Sequence, residues 1–215
     1  MTNLADYEFA IFDCDGVIFD SNDLKINAFR LTLVEHPFDL VDTFIKYHKD
    51  NGGISRYVKL KYFFQEILKR DDFTSDYDWA VARYADIVKK ELLNVDFIPG
   101  FEEFINKIRS RGMPAYVVSG GDESELQEVF AIRGIDYFDN IFGSPETKMK
   151  NTGKVIHTVG QAKKGIFFGD AQQDYLVAKA FNLDFVFVHG VSDWEEGRQI
   201  LDDSDVLIVK DFNEL

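Results

Sequence analysis

Six short apolar runs, most of which end abruptly at a polar or glycine turn, constrain this chain more than any other feature. Residues 7–12 stop at Asp13-Cys14-Asp15-Gly16, and residues 115–118 stop at Ser119-Gly120-Gly121. Residues 140–142 lead into Gly143-Ser144-Pro145, and residues 165–168 stop at Gly169-Asp170. Residues 184–188 and 206–209 complete the series. Helical stretches separate the later runs, at residues 101–111, 124–132, 148–159 and 174–181. Strands that alternate with helices imply βαβ units and a parallel sheet covered on both faces. The expected fold class is therefore α/β.

Between the first run and the rest lies a block of different texture, residues 22–90. Its glycines are confined to Gly52-Gly53, and amphipathic stretches dominate it, at residues 24–34, 40–48, 57–68 and 77–93. Tyr57, Leu60, Phe64, Ile67 and Leu68 recur at helical spacing. The block reads as an all-helical insertion. Charge divides the chain at the same place. Of 24 Lys and Arg and 38 Asp and Glu in 215 residues, residues 18–90 hold 12 of each sign, so the remainder carries the whole net charge of −14. The expected organisation is a discontinuous α/β domain, 1–17 and 91–215, interrupted by a helical domain, 18–90.

The acidity argues against a nucleic-acid or anionic-membrane partner, since both need a basic face. Cys14 is the single cysteine, so no disulfide framework is expected and a reducing cytoplasm is the natural setting. The amino-terminal residues 1–8 lack the basic and apolar regions of a signal peptide. No apolar run is long enough to span a bilayer.

In a parallel α/β sheet, ligands bind beyond the carboxyl ends of the strands. Asp13 and Asp15 follow the first expected strand, Ser119 the second, and Asp170 and Asp174 the fourth; Lys148 lies beyond the third. Four acids, a hydroxyl and an ammonium would converge on one edge. Carboxylates crowded in this way repel unless a cation joins them. An oxygen-only ligand set suits a hard ion, and Mg²⁺ accepts a few carboxylates with water and phosphate. Ser119 with the N–H groups of Gly120 and Gly121 could hold phosphate oxygens. Lys148 could neutralise charge on phosphate and nucleophile.

These motifs resemble those of the haloacid dehalogenase superfamily of phosphatases and phosphomutases, which have a Rossmann-like core and a cap. Asp13-Cys14-Asp15-Gly16-Val17 resembles its DxDG[VT] motif, Val117-Val118-Ser119-Gly120 its second, and Gly169-Asp170-Ala171-Gln172-Gln173-Asp174 its GDxxxD motif. The family lysine is ambiguous. Lys148 is favoured because a full helix then fits before the fourth strand; Lys150 and Lys154 are rivals, and Lys154 leaves only a short helix. The resemblance implies that Asp13 attacks phosphorus and that Asp15 serves as acid and then base. It implies that Mg²⁺ is held by the Asp13 carboxylate, the Asp15 carbonyl and Asp170, and that Asp174 acts on the metal's waters or orients Lys148. Family members that dehalogenate lack the second aspartate of the first motif, so Asp15 points to phosphoryl transfer. The helical block resembles the cap of phosphoglycolate phosphatase and β-phosphoglucomutase, and its Gly52-Gly53-Ile54-Ser55-Arg56 segment a cap loop that enters the active site. Arg56 and Lys59 would there meet an anionic or polyhydroxyl substrate.

The expected activity is thus a Mg²⁺-dependent phosphatase acting on a small phosphorylated metabolite, a sugar phosphate or similar phosphomonoester, with no obligate protein partner. A phosphosugar mutase built from the same parts is the alternative. A receiver-type signalling domain also gathers acids, a hydroxyl and a lysine around Mg²⁺, but is much shorter and lacks the helical insertion. Each residue also has a plainer reading. Asp13 or Asp15 could be a turn residue, Ser119 a helix cap, Asp174 a helix-start acid, and Lys148 or Arg56 ordinary surface charge. Cys14, pointing away from Asp13 on a strand, reads as a packed core thiol.

Overall fold

The computed structural model describes residues 4–202 and 206–215. The amino-terminal reading above rests in part on residues 1–3, which lie outside that range.

The apolar runs form strands β1 (Phe9–Phe12), β2 (Ala115–Asp122), β3 (Asn140–Ser144), β4 (Gly165–Gly169), β5 (Asp184–Val188) and β6 (Leu207–Val209). They make one sheet in the order β3-β2-β1-β4-β5-β6, with every pair parallel. β1 is central and all four of its residues are buried, as a strand covered on both faces requires. Its side chains alternate between two cores. Ala10 and Phe12 face one, Phe9 and Ile11 the other. The Phe12 ring stacks on Phe168 of β4 at 4.7 Å and meets Phe101, Phe104 and Phe138 edge-on. Cys14 is fully buried on the same side as Phe12.

Helices α5 (Phe101–Ser110), α6 (Glu123–Ile132), α7 (Lys148–Val159), α8 (Gln172–Ala180) and the short α9 (Gly197–Leu201) belong to the sheet's layers. The apolar pattern gave no sign of α9, which has only five residues and two buried ones.

The inserted block forms α1 (Asn22–Thr32), α2 (Phe38–Asp50), α3 (Arg56–Tyr62) and α4 (Thr74–Leu92). Phe29 of α1 and Phe63 beyond α3 both pack edge-on against Phe44 of α2, and Phe29 also meets Tyr84 of α4 at 4.1 Å. The single helix expected over residues 57–68 ends at Tyr62 and widens into a π-helical turn at Phe63–Ile67. Phe63 and Phe64 are adjacent, yet both are buried.

The two chain crossings between the sheet and this block run side by side. The Asp20 N–H donates to the Asp96 carbonyl at 3.0 Å, and the Ile98 N–H to the Ile18 carbonyl at 2.9 Å. The block therefore hangs from a paired strap beside the carboxyl end of β1. Among the described residues, no helix is long and apolar enough to cross a membrane.

Candidate active site

β1 delivers Asp13 to the sheet's carboxyl edge, where its N–H donates to the Phe168 carbonyl at 2.9 Å. The chain then turns through Gly16, whose φ of +73° favours glycine. A Cβ there would lie 2.1 Å from Asp170 Oδ2, so the same glycine admits the close approach of the β4 loop. Gly169 does the equivalent for α8, because its Cβ would fall 2.3 Å from the Asp174 Cβ.

α7 begins at Lys148, after Thr147, whose side chain caps the helix by accepting from the Lys150 N–H. That start places Lys148 Nζ 2.8 Å from Asp13 Oδ2 and 2.5 Å from Asp174 Oδ1. Neither rival lysine reaches this cluster: Lys150 pairs with Glu146 at the surface, and Lys154 donates to Asn151. Asp174 also accepts from the Ala171 N–H at 3.2 Å. Burial alone would lower the Lys148 pKa, but Asp13 and Asp174 outweigh it and raise it. Lys148 is therefore a fixed cation at neutral pH.

Asp13, Asp170 and Asp174 each present an oxygen within 4.8 Å of the others, and all three are buried. Burial first, then the neighbouring Asp174 and Asp15, push Asp13 up to about 7 despite Lys148. Burial, Asp13 and Asp174 raise Asp170 well above the usual carboxylate range. Asn22 Nδ2 donates to Asp170 Oδ2 at 2.7 Å and to the Val191 carbonyl, orienting that carboxylate. Asp13 Oδ1 is buried without a hydrogen-bond partner. An orphaned carboxylate oxygen beside a second strained carboxylate is what a divalent cation would satisfy, so the residues present fit Mg²⁺. Asp15, expected to offer a metal its main-chain carbonyl, uses its side chain for other partners. Its Oδ2 accepts from Lys25 Nζ and its Oδ1 from Ser21 Oγ, both at 2.6 Å. Burial would raise Asp15, but Lys25 and Ser21 prevail and lower it, so the carboxylate is ionised.

A stability test follows from these shifts. A carboxylate whose folded pKa lies above its unfolded value stabilises the fold below about pH 4 and loses that contribution as pH rises towards 7. Mg²⁺ should offset the loss. We expect saturating Mg²⁺ to raise the melting temperature by roughly 5–10 °C at pH 8 and by little at pH 5. An equal shift at both pH values would dissociate the ion from these carboxylates.

Ser119 is fully buried at the end of the apolar part of β2, and its Oγ accepts from the Gly121 N–H at 3.0 Å. Gly120 and Gly121 line the cavity beside it. A Cβ at Gly120 would lie 2.5 Å from the Gly53 carbonyl oxygen. The loop between α2 and α3 thus rests directly on the sheet's edge, closing a cavity of about 720 Å³ over Asp13 and Asp15. Arg56 and Lys59 line the cavity and are buried; neither is plain surface charge. The Arg56 guanidinium pairs with Glu125 of α6, and Tyr57 Oη donates to Asp122 at 2.7 Å. Lys89–Glu128 at 2.6 Å and Lys49–Asp193 at 3.0 Å extend the same clasp outward.

The sequence reading did not single out Ser21, Asn22, Lys25, His48 or Glu125. Ser21 and Lys25 stand four apart just after the first motif, a helical spacing that would have put both near Asp15. Nothing local marks Glu125 as a partner of Arg56, 69 residues away.

Comparison with known proteins agrees with this geometry. The family model for haloacid dehalogenase-like hydrolases matches residues 10–188. No curated protein matches the sequence. Among solved structures, a predicted phosphoglycolate phosphatase from Haemophilus somnus 129pt is 17% identical with a TM-score of 0.78, covering 99% of this chain and 97% of that one. β-Phosphoglucomutase from Clostridium difficile is 22% identical with a TM-score of 0.75, covering 97% and 93%. A HAD-hydrolase of Bacillus subtilis bound to magnesium is 16% identical with a TM-score of 0.67, covering 97% and 96%. At these identities the likeness is one of fold.

Proposed function

Because the chain belongs to the haloacid dehalogenase-like hydrolase family, we propose that it is a Mg²⁺-dependent phosphatase acting on a small phosphomonoester, with residues 18–90 serving as its cap. The observation that carries this reading is the Asp13 carboxylate, clamped at Oδ2 by Lys148 and free at Oδ1, with an ionised Asp15 two residues on.

An oxygen of Asp13 attacks phosphorus, the bond from phosphorus to the ester oxygen breaks, and an aspartyl-phosphate forms. Asp15, ionised at rest, takes up a proton from the solvent as substrate enters and passes it to the departing oxygen. Asp15, left ionised, then accepts a proton from a water that attacks the same phosphorus, and the Asp13–phosphorus bond breaks. Lys148 holds Asp13 in place and balances the charge that gathers on the phosphoryl oxygens. Asp174 fixes Lys148, and Asn22 fixes Asp170. Bound Mg²⁺, held by Asp13, Asp170 and the Asp15 carbonyl, would screen the phosphoryl charge from the carboxylate that must approach it. Over a bound substrate the helical cover would keep bulk water from the reacting groups, which would strengthen each of these interactions.

Phosphate release from a panel of sugar phosphates, phosphorylated carboxylic acids and nucleotides, with and without Mg²⁺, tests the proposal. We expect Mg²⁺-dependent release from at least one member. Isomerisation of a phosphosugar that requires a bisphosphate, without net phosphate release, would overturn it in favour of a mutase.

A further inference from the structure

Among the cations that line the cavity, Lys25, Arg56 and Lys59 are the least exposed, and they differ in what answers them. Lys25 is paired with Asp15, and Arg56 with Glu125. Lys59 is 3% exposed, yet the partners of its Nζ are His48 Nδ1 at 2.7 Å and the His48 carbonyl at 3.3 Å. Among the described residues no carboxylate pairs with it. Burial, and then the charge of Lys59 itself, drive the His48 pKa well below its ordinary value. His48 is therefore neutral and offers a lone pair at Nδ1. An ammonium has three donors. Two are spent on His48, and the third belongs to a residue that lines the cavity.

We propose, on the footing of the phosphatase reading, that Lys59 is the specificity residue for a substrate whose leaving group carries a single carboxylate. A buried ammonium without a counter-ion is costly, and an anion entering beside it removes that cost. Its surroundings place it on the side of the leaving group. Lys59 belongs to α3 of the helical block that covers the cavity, whereas Asp13 and Lys148 belong to the sheet's edge below it. Burial and the nearby Lys25 hold its own pKa near 7, so an arriving anion would also restore its charge. A second phosphate suits the site less well. Arg56, the bidentate donor such a group would use, has its charge answered by Glu125 at Nη2, which leaves Nη1 as its one buried nitrogen without a partner, and Asp122 stands beside it bonded to Tyr57.

The test compares near-isosteric esters of two lengths: phosphoglycolate against 2-hydroxyethyl phosphate, and 3-phosphoglycerate against glycerol 3-phosphate. Ethylene glycol bisphosphate represents a second phosphate. Rates are measured for the wild type, Lys59→Met and Lys59→Arg, and binding of the same esters is measured on Asp13→Asn with and without Lys59→Met. A charged hydrogen bond of this kind corresponds to about a 10- to 100-fold preference in kcat/KM for the carboxylate at one length or the other, seen mainly in KM. Lys59→Met should bring the ratio close to one, and Lys59→Arg should restore part of it. A ratio near one in the wild type, a ratio unchanged in Lys59→Met, or preference for the bisphosphate would each overturn the assignment. The binding arm separates this proposal from the activity it rests on. If no ester is hydrolysed, the phosphatase reading falls, while tighter carboxylate binding that depends on Lys59 still upholds the residue's role and equal binding rejects it.

Discussion

Asp13→Asn should lose at least about 10⁴-fold in kcat, as removal of a covalent nucleophile does, and the same variant should be more stable than the wild type without metal. The two effects have one cause. The Asp13 carboxylate is fully buried among Asp15, Asp170 and Asp174, and its pKa near 7 measures how poorly the fold tolerates its charge. At pH 8 it is ionised in both the folded and unfolded chain, so the folded state bears the cost of the shift, on the order of 2–4 kcal/mol. Asparagine keeps the shape and removes the charge. Lys148 retains Asp174 at 2.5 Å and is not orphaned. We therefore expect the apo melting temperature to rise by roughly 5 °C or more at pH 8 and hardly at all at pH 4, where Asp13 is already protonated when folded. Acid-quench trapping should find phosphoenzyme in the wild type and none in the variant. A variant that melts lower at pH 8, or one that keeps its turnover, would remove Asp13 from the centre of the mechanism. Strain concentrated on a functional group is common where activity and stability compete.

The parts of this site that the sequence revealed are those whose partners are close in the chain or fixed by topology. Asp13 and Asp15 directly follow an apolar run, and Asp170 and Asp174 directly follow another. A parallel sheet brings all strand ends to one edge, so their convergence needed no knowledge of side-chain contacts. Lys148 was harder. Whether Lys148, Lys150 or Lys154 meets Asp13 depends on where α7 starts, and Thr147 decides that by capping a helix whose first residue is Lys148. Helix starts are uncertain by a residue or two from sequence, and Lys148 and Lys150 are only two apart. The Arg56–Glu125 clasp was illegible for a different reason. Its partners lie on separate layers, and only the docking of the helical block on α6 joins them. The break at Phe63–Ile67 was hidden because one register error between two adjacent apolar residues looks like ordinary amphipathic spacing.

Lys148→Met, the second large effect, should act in the opposite sense to Asp13→Asn on stability and in the same sense on activity. Methionine fills the space but leaves Asp13 and Asp174 buried without their cation, and removing one partner of a buried pair costs about 3–5 kcal/mol. The raised pKa of Lys148 means its stabilising charge is fully present below pH 10.5 in the wild type, so the loss appears across the whole neutral range. Its size should nonetheless depend on pH through Asp13. Below about pH 5 Asp13 is protonated in the folded chain and the deficit shrinks; near pH 8 it is greatest. Mg²⁺ supplies positive charge to the same carboxylates, so adding it should recover much of the melting temperature at pH 8. Turnover should not return with it. Without Lys148, nothing holds Asp13 Oδ2 in position or balances the phosphoryl oxygens on that side, and we expect kcat to stay about 10²- to 10³-fold down. Full recovery of turnover by Mg²⁺ alone would mean that Lys148 only offsets charge in the folded chain and has no part in the chemistry.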